Sequence, residues 1–251
     1  MIIVMEPPNP LGPHRTMHGR VVEWIGLRIV SGGYAPGTQL PNEADLAAQL
    51  GVSRGGVREA VKALAAKGLL EPRPRLGTRV LPRREWNLLD REVIEWHGRA
   101  DDRVLFHDLL QLRLMVEPEA ARLAAERASE TQLVALAAAY EGMAEHAPGL
   151  PATQEQFVSA DLAFHLTLLH ASGNRLVEQL GRLLETGLHH ALDVTSHLPG
   201  GVEATLPLHR AVLVAVRGRR GQAAARAVKR LLEYTLAAVD AQSYRAQRAG
   251  A

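Results

Sequence analysis

The stretch Pro41–Leu70 reads PNEADLAAQLGVSRGGVREAVKALAAKGLL and decides the fold of the first part of the chain. Asn42 is a good N-cap for a helix with acidic residues in its first turn. Gly51 can end that helix in a left-handed conformation, and Ser53 can cap a second helix directly afterwards. The spacing therefore predicts a first helix over about Glu43–Leu50 and a second helix after a turn of only a few residues.

Two sets of residues divide the second helix into faces. The apolar set falls at positions i, i+4 and i+7, and the basic set falls at i, i+4 and i+8. The apolar residues are Val57, Val61 and Leu64, and the basic residues are Arg54, Arg58 and Lys62. One face can pack while the other meets a polyanion, as in a helix-turn-helix that binds DNA. The alternative is a solvated basic face on an ordinary helical hairpin.

The same stretch closely resembles the winged helix-turn-helix of the GntR family of bacterial regulators. The family pattern is P-S-E-x-x-L-A-x-x-x-G-V-S-R-x-x-V-R-E-A-L-x-x-L. The matching residues here are Pro41, Glu43, Leu46, Ala47, Gly51, Val52, Ser53, Arg54, Val57, Arg58, Glu59, Ala60 and Leu64. The resemblance implies DNA contacts from Ser53, Arg54, Arg58 and Lys62. The chain departs from the pattern at Ala44, where the family usually has Arg, and at Gly55-Gly56.

Residues 71–82, EPRPRLGTRVLP, follow the second helix and predict a β-hairpin wing. Prolines interrupt two short extended pieces, and Gly77 turns the chain between them. Arg73, Arg75 and Arg79 place positive charge on this hairpin, which suits contact with phosphates or the minor groove. We therefore expect Arg75, Gly77 and Arg79 to contribute to the DNA-binding surface. A basic linker is the alternative.

The composition separates the chain into a basic first part and a slightly acidic remainder. Residues 1–84 carry 12 Lys and Arg against 6 Asp and Glu, whereas the rest carries 17 against 21. This asymmetry suggests a nucleic-acid-binding module attached to a domain with another task. The 251 residues include no Cys, which excludes disulfides and thiolate metal sites. No apolar run could span a bilayer, so we expect a cytoplasmic protein with no membrane partner.

Periodicity predicts a mostly α chain that ends in an all-α helical bundle. The resemblance to the GntR family implies that the N-terminal part is a winged helix-turn-helix and that the C-terminal bundle binds an effector. The predicted parts are a disordered tail over 1–16, the DNA-binding domain over 17–82, a linker helix over 83–100, and a ligand-binding and dimerisation domain over 101–247. In the linker, Trp86 and Trp96 are expected to be packing anchors. The predicted later helices are about Arg103–Glu126, Thr131–His146, Thr153–Ala171, Arg175–Val194, Glu203–Arg217 and Gln222–Gln247.

Asp161 and His165 form a candidate metal site in the helical part. They are four residues apart, so their side chains leave the same helix face, and Phe164 and Leu168 mark the adjacent apolar face. A carboxylate and an imidazole that converge inside a bundle suit a divalent ion such as Zn, Ni or Mn. The alternative is a hydrogen-bonded pair without a metal.

Four segments of this part look like the effector domain of the FadR branch of the GntR family. They are LRLMVEPEAARLAAERA (112–128), DLAFH (161–165), Ser-Gly-Asn (172–174) and LHRAVLVAV (208–216). Many members of that branch bind a metal through one Asp and three His. The resemblance assigns the first three positions to Asp161, His165 and His209, but Leu231 replaces the last histidine. His189, His190 or His197 could supply the missing nitrogen, although surface or cap roles are the alternative.

The same resemblance implies a small carboxylate effector. In the FadR branch an Arg at the position of Arg113 commonly grips the effector carboxylate, as a planar guanidinium can; an ion pair with Glu117 is the alternative. Asn174 and Thr195 are candidate partners for effector hydroxyls. Residues 85–96 and the lost histidine look most like the galactonate-responsive repressors of sugar-acid catabolism.

These features predict a repressor rather than an enzyme. One recognition helix reads few base pairs, so we expect a homodimer on a palindromic operator in double-stranded DNA. Two alternatives remain at this point. The metal itself could be the signal, or the chain could be a metal-dependent hydrolase with a DNA-binding head, for which Glu178 and Glu185 are the available bases.

Overall fold

The computed structural model describes residues 16–100, 102–181, 185 and 201–249. The chain divides into two compact units, Met1–Asp102 and Arg103–Ala251. The described part of the first unit contains helices and one small sheet, and the described part of the second contains helices. The predicted fold class, mostly α with a winged helix-turn-helix followed by a helical domain, is confirmed. Thr195, His189, His190 and His197 lie outside the described residues.

The first unit begins with three helices whose ends follow the predicted capping residues. They are α1 (Met17–Val30), α2 (Glu43–Leu50) and α3 (Arg54–Ala66). The side-chain oxygen of Asn42 accepts hydrogen bonds from two backbone N–H groups at the start of α2, and Gly51 ends α2 with φ of 65°. Val57, Val61 and Leu64 are buried in the core that α3 shares with α1. The apolar face predicted from the sequence therefore packs inward.

The rest of the first unit is a hairpin and a short helix. Strands β1 (Leu70–Arg73) and β2 (Gly77–Val80) pair antiparallel, with Leu70 opposite Val80. A 3-10 turn over Arg83–Glu85 leads to helix α4 (Arg91–Arg99). Trp86 and Trp96 are buried in the same core as α1 and α3, as expected of packing anchors. The predicted linker over 83–100 thus contributes to the core of the first unit.

Gly26 marks the contact between α1 and α4. A Cβ atom at this position would lie 2.4–2.7 Å from ring atoms of the buried Trp96. We expect Gly26→Ala to lower the free energy of unfolding by about 1–3 kcal/mol through overpacking, although Ala favours helix. Tryptophan fluorescence during denaturation measures this unit alone, because all three tryptophans, Trp24, Trp86 and Trp96, lie in it.

Gly19→Ala is the matched control on the same helix. The nearest neighbour of its new Cβ would be the Thr16 hydroxyl oxygen at an ordinary 3.5 Å. This change should raise the free energy of unfolding by about 0.5–1 kcal/mol. Equal effects from both alanines would contradict the close packing of Trp96 on α1.

The second unit is built from helices around one main core. They are α5 (Arg103–Arg127), α6 (Glu130–His146), α7 (Gln154–Ala171), α8, which begins at residue 175 and is described through 181, α9 (Gly201–Arg217) and α10 (Gly221–Ala249). Helix α5 packs against α7, α9 and α10, and α6 packs against α7 and α9. Apart from the undescribed end of α8, each predicted helix agrees with the structure to within about two residues at both ends.

Small residues bring α5 close to its neighbours. Ala121, Ala124 and Ala125 are fully buried on α5, and they lie in one core with Phe164 and Leu168 of α7. This packing places the inward faces of α5 and α7 against each other, which matters for the site below. In the described residues, no helix combines the length and the apolar character needed to cross a membrane.

Candidate functional site

The exposed face of α3 carries the predicted DNA-contacting cations. Arg54, Arg58 and Lys62 are all exposed, opposite the buried apolar face. The Ser53 hydroxyl oxygen accepts a hydrogen bond from the Gly56 backbone N–H at 3.1 Å, so Ser53 caps the helix. A DNA contact by this hydroxyl would come in addition to the cap. The face can supply positive charge and guanidinium donors to a polyanion.

Two of these cations have acidic partners that the sequence pattern alone did not indicate. The Arg58 guanidinium donates from Nε to both Glu43 carboxylate oxygens at 3.2 Å, and from Nη2 to Oε2 at 2.7 Å. Lys62 pairs with Glu59 at 2.8 Å. The hydrogen bond to Arg58 lowers the pKa of Glu43. Since Glu43 lies at the start of α2, this pair ties the two helices of the motif together.

The hairpin forms a tight turn at its tip. Pro74 and Arg75 are its central residues, and the Leu76 N–H donates to the Arg73 carbonyl at 3.1 Å. Arg75 has φ of 64°, which is unusual for a residue other than glycine and matches the third position of a type II turn. Gly77 follows with φ of 86°. The turn holds Arg75 and Leu76 exposed at the tip.

The other two wing arginines share one carboxylate. Glu71 accepts from Arg73 at 2.9 Å and from Arg79 at 3.1 Å. Arg75 is therefore the wing cation placed at the tip, while Arg73 and Arg79 are held along the strands. The predicted positive wing is present, with a charge reduced by Glu71.

Three potential metal ligands converge in the second unit. Asp161 and His165 project from α7 and His209 projects from α9, and all three are buried. Asp161 Oδ1 lies 3.3 Å from His165 Nε2 and 3.1 Å from His209 Nε2, and the two imidazole Nε2 atoms are 3.4 Å apart. A divalent ion about 2.0–2.2 Å from each ligand would place them roughly 3.0–3.5 Å apart. The triangle therefore has the size of one face of a coordination sphere.

The hydrogen bonds behind the imidazoles fix which nitrogen faces the centre. His209 Nδ1 lies 2.9 Å from the Thr205 carbonyl oxygen, which can only accept. His165 Nδ1 lies 2.7 Å from Glu117 Oε2. Both Nδ1 atoms therefore carry hydrogen, and in the neutral rings both Nε2 atoms present lone pairs. Among the described residues, buried Asp161 Oδ1 has no hydrogen-bond donor in suitable geometry. Three electron-pair donors around one point fit a cation.

The charges around the triad favour positive charge at its centre. Burial alone would raise the pKa of the Asp161 carboxyl, but the neighbouring imidazoles of His209 and His165 hold that pKa well below its ordinary range. Burial lowers the pKa of His165, but Glu117 and Asp161 raise it by more than burial lowers it, so the net shift of the His165 pKa is upward. Protons on the imidazoles and a metal ion would thus compete for the same place.

Arg113 takes part in a buried ion pair next to the triad. Its Nε donates to Glu117 Oε1 at 2.6 Å, and both side chains are almost completely buried. Burial would raise the pKa of Glu117, but Arg113 and His165 lower it to about 2. The ion pair considered as the alternative for Arg113 is present. The i, i+4 spacing of Arg113 and Glu117 indicated this ion pair in the sequence. No feature of the sequence indicated the contact from Glu117 to His165 on another helix.

Of the remaining predicted site residues, those that the structure describes lie outside this cluster. Asn174 is exposed, and its side-chain oxygen accepts from the Leu176 backbone N–H at 3.0 Å, which caps α8. Leu231, at the position of the expected fourth ligand, is buried on α10. Glu178 contacts His170 at 3.3 Å, and Glu185 is exposed. The described site therefore consists of three potential metal ligands with the Arg113–Glu117 pair beside them.

Comparison with known proteins assigns both parts of the chain to a family. Residues 18–80 match the model for bacterial regulatory proteins of the gntR family, and residues 108–234 match the FCD domain. The chain is 36% identical to the uncharacterized HTH-type transcriptional regulator YieP of Escherichia coli K12, over 84% of this chain and 90% of that protein. It is 34% identical to the galactonate operon transcriptional repressor of the same organism, over 83% and 90%.

A solved structure with little sequence identity supports the fold. It is that of Lar, described as controlling the expression of the Listeria monocytogenes agr system, and it covers 91% of this chain and 98% of its own with a TM-score of 0.62. The identity is 17%. The family matches and the two relatives, taken with the capped helix-turn-helix and the helical unit, show that the chain is a transcriptional regulator of the GntR family, with the FCD effector domain of its FadR-like branch.

Proposed function

We propose that this protein is a repressor of a carbohydrate-acid catabolic operon, released from its operator when a small sugar acid such as galactonate binds beside a divalent metal ion. The observation that carries the proposal is the convergence of Asp161, His165 and His209 next to Arg113. Support for the effector class comes from the 34% identity to the galactonate operon repressor. A homodimer would place two α3 helices on the half-sites of a palindromic operator.

The buried charges favour a monoanionic effector. Arg113 contributes one positive charge, while Glu117 and Asp161 contribute two negative charges, so the site with neutral imidazoles carries a net charge of about −1. A divalent ion held by Asp161, His165 and His209 would supply Lewis-acid binding of an effector oxygen and change the net charge to about +1. One carboxylate then neutralises the site. Arg113 would bind that carboxylate through its guanidinium fork.

A single titration separates this proposal from its alternatives. The operator is first selected from random DNA with the purified protein. The complex of metal-stripped protein and operator is then titrated with Zn²⁺, with galactonate, and with both, and DNA binding is followed by fluorescence anisotropy. We expect release only when metal and galactonate are present together. Release by Zn²⁺ alone would identify the metal as the signal and overturn the sugar-acid proposal. The hydrolase alternative has no support from the family, and Glu178 contacts His170.

Arg113 is expected to determine effector affinity. Arg113→Ala should abolish release while operator binding persists, but it also leaves the buried Glu117 charge unpaired. Arg113→Lys keeps the charge and loses the planar fork, so we expect galactonate affinity to fall at least about 10-fold, or 1.4 kcal/mol. Calorimetric titration of metal-loaded protein measures this change. The control is Arg122→Lys on the same helix, a half-buried arginine that pairs with Glu119 and Glu126. Release of Arg113→Ala at wild-type galactonate concentrations would exclude Arg113 as the carboxylate anchor.

A further inference from the structure

We propose that Glu117 is a positioning residue that holds a metal ligand with one carboxylate oxygen and the effector-binding arginine with the other. This inference rests on the proposed function, because it takes the triad and Arg113 as the effector site. It adds a residue that touches neither metal nor effector. Glu117 lies on α5, one helical turn after Arg113, and His165 lies on α7.

The geometry gives each oxygen of Glu117 a separate partner. Oε2 is 2.7 Å from His165 Nδ1, and Oε1 is 2.6 Å from Arg113 Nε. Glu117 and His165 are each 1% exposed, and Arg113 is 4% exposed. Water therefore has little access to these bonds, so the carboxylate is the group that orders both partners.

For His165, the carboxylate determines which nitrogen faces the triad. A carboxylate can only accept, so the imidazole must present its Nδ1 hydrogen to Glu117 and its Nε2 lone pair to the centre. The Nε2 atom lies 3.3 Å from Asp161 Oδ1 as a result. Without that acceptor, either nitrogen of the ring could carry the proton, and only one of the two tautomers can bind a metal at Nε2.

For Arg113, the same carboxylate fixes the guanidinium plane. The contact to Glu117 is made through Nε, so the Nη1–Nη2 edge is the one suited to an incoming carboxylate. One charged group thus orients both binding partners of the effector site. We infer that metal affinity and effector affinity both depend on Glu117, whereas a purely structural ion pair would affect only stability.

Glu117→Gln is the sharpest test because an amide keeps the shape and has only one acceptor oxygen. It can serve His165 or Arg113, but not both at once. We expect the Zn²⁺ affinity to fall about 10–100-fold, and the galactonate affinity at saturating Zn²⁺ to fall at least about 10-fold. Glu119→Gln is the matched control. Glu119 lies two residues later, is exposed and pairs with Arg122, so neither affinity should change.

The tautomer of His165 is read directly in metal-free protein. Nitrogen-15 NMR of histidine-labelled protein, with the His165 signals assigned by their loss in His165→Gln, should give an Nδ1-protonated ring in the wild type and a tautomer mixture in Glu117→Gln. If Glu117→Gln does not fold, Glu117→Asp decides the same point: it keeps two acceptors, so Nδ1 protonation should persist despite weaker Zn²⁺ binding. An unchanged tautomer and unchanged Zn²⁺ affinity in Glu117→Gln, or a tautomer mixture in Glu117→Asp, would overturn the inference.

Different results would contradict the proposed effector site and the proposed role of Glu117. A wild-type protein that binds no Zn²⁺ would contradict the proposed metal-assisted effector site. The tautomer measurement would still decide whether Glu117 orients His165, because it requires no metal. If the wild type binds Zn²⁺ and Glu117→Gln has the same Zn²⁺ affinity and the same His165 tautomer, only the proposed role of Glu117 would be contradicted.

Discussion

Asp161→Asn is expected to lower the affinity of the protein for Zn²⁺ by at least about 100-fold, since changes to residues behind metal ligands already cost 10–100-fold. Asp161 is the only carboxylate in the triad of described ligands, and its Oδ1 lies within 3.3 Å of both imidazole Nε2 atoms. The Asn amide replaces the negatively charged carboxylate with a neutral oxygen, which is a weaker electron-pair donor to a metal ion. The loss of Zn²⁺ affinity should exceed the loss caused by any other conservative substitution in the second unit.

Thermal and chemical unfolding provide an independent measure of the same effect. At a free Zn²⁺ concentration of 100 times its Kd, binding to the folded state stabilises the wild type by about 2.7 kcal/mol. We expect Asp161→Asn to gain at most about 0.4 kcal/mol at the same concentration, because a Kd raised 100-fold equals that concentration. Glu155→Gln, an exposed change in the first turn of the same helix, should retain it in full. Equal stabilisation of Asp161→Asn and wild type would rule out Asp161 as a ligand.

The parts of this fold that local sequence determines could be predicted well. Asn42, Gly51 and Ser53 each act through backbone groups no more than about four residues away, so the ends of α2 and α3 followed from the chain itself. The four-residue spacing of Asp161 and His165 was equally local. Their burial followed from the apolar residues beside them.

Contacts between distant segments could not be predicted in the same way. Arg58 and Glu43 are 15 residues apart, and His165 and Glu117 are 48 apart. Such pairs depend on how helices pack, which periodicity does not specify. His209, 44 residues from His165, was assigned by family resemblance and not by any spacing rule. The resemblance supplied candidate ligands, but it gave no sign that Glu117 would contact both His165 and Arg113.

Arg58→Ala is expected to reduce operator affinity by about 1–3 kcal/mol, which is roughly 5–150-fold, and to relax specificity at the base that Arg58 reads. The contacts to Glu43 use the Nε–Nη2 edge of the guanidinium. The Nη1–Nη2 edge is the one suited to the O6 and N7 atoms of a guanine. Anisotropy titrations with the operator and its single-base variants measure both effects. Lys62→Ala on the same face should instead weaken all sequences similarly and reduce the salt dependence by about one phosphate contact.

The partner of Arg58 makes a double variant informative. Arg58→Ala leaves the Glu43 carboxylate near the DNA without its cation, so part of the loss is repulsion of phosphates. Glu43→Gln combined with Arg58→Ala should therefore recover affinity for non-specific DNA but not discrimination between operator variants. If the double variant also regains discrimination, the base contact belongs to another residue. If Arg58→Ala alone leaves operator affinity unchanged, Arg58 does not read a base, and Arg54 becomes the next arginine on this face to test.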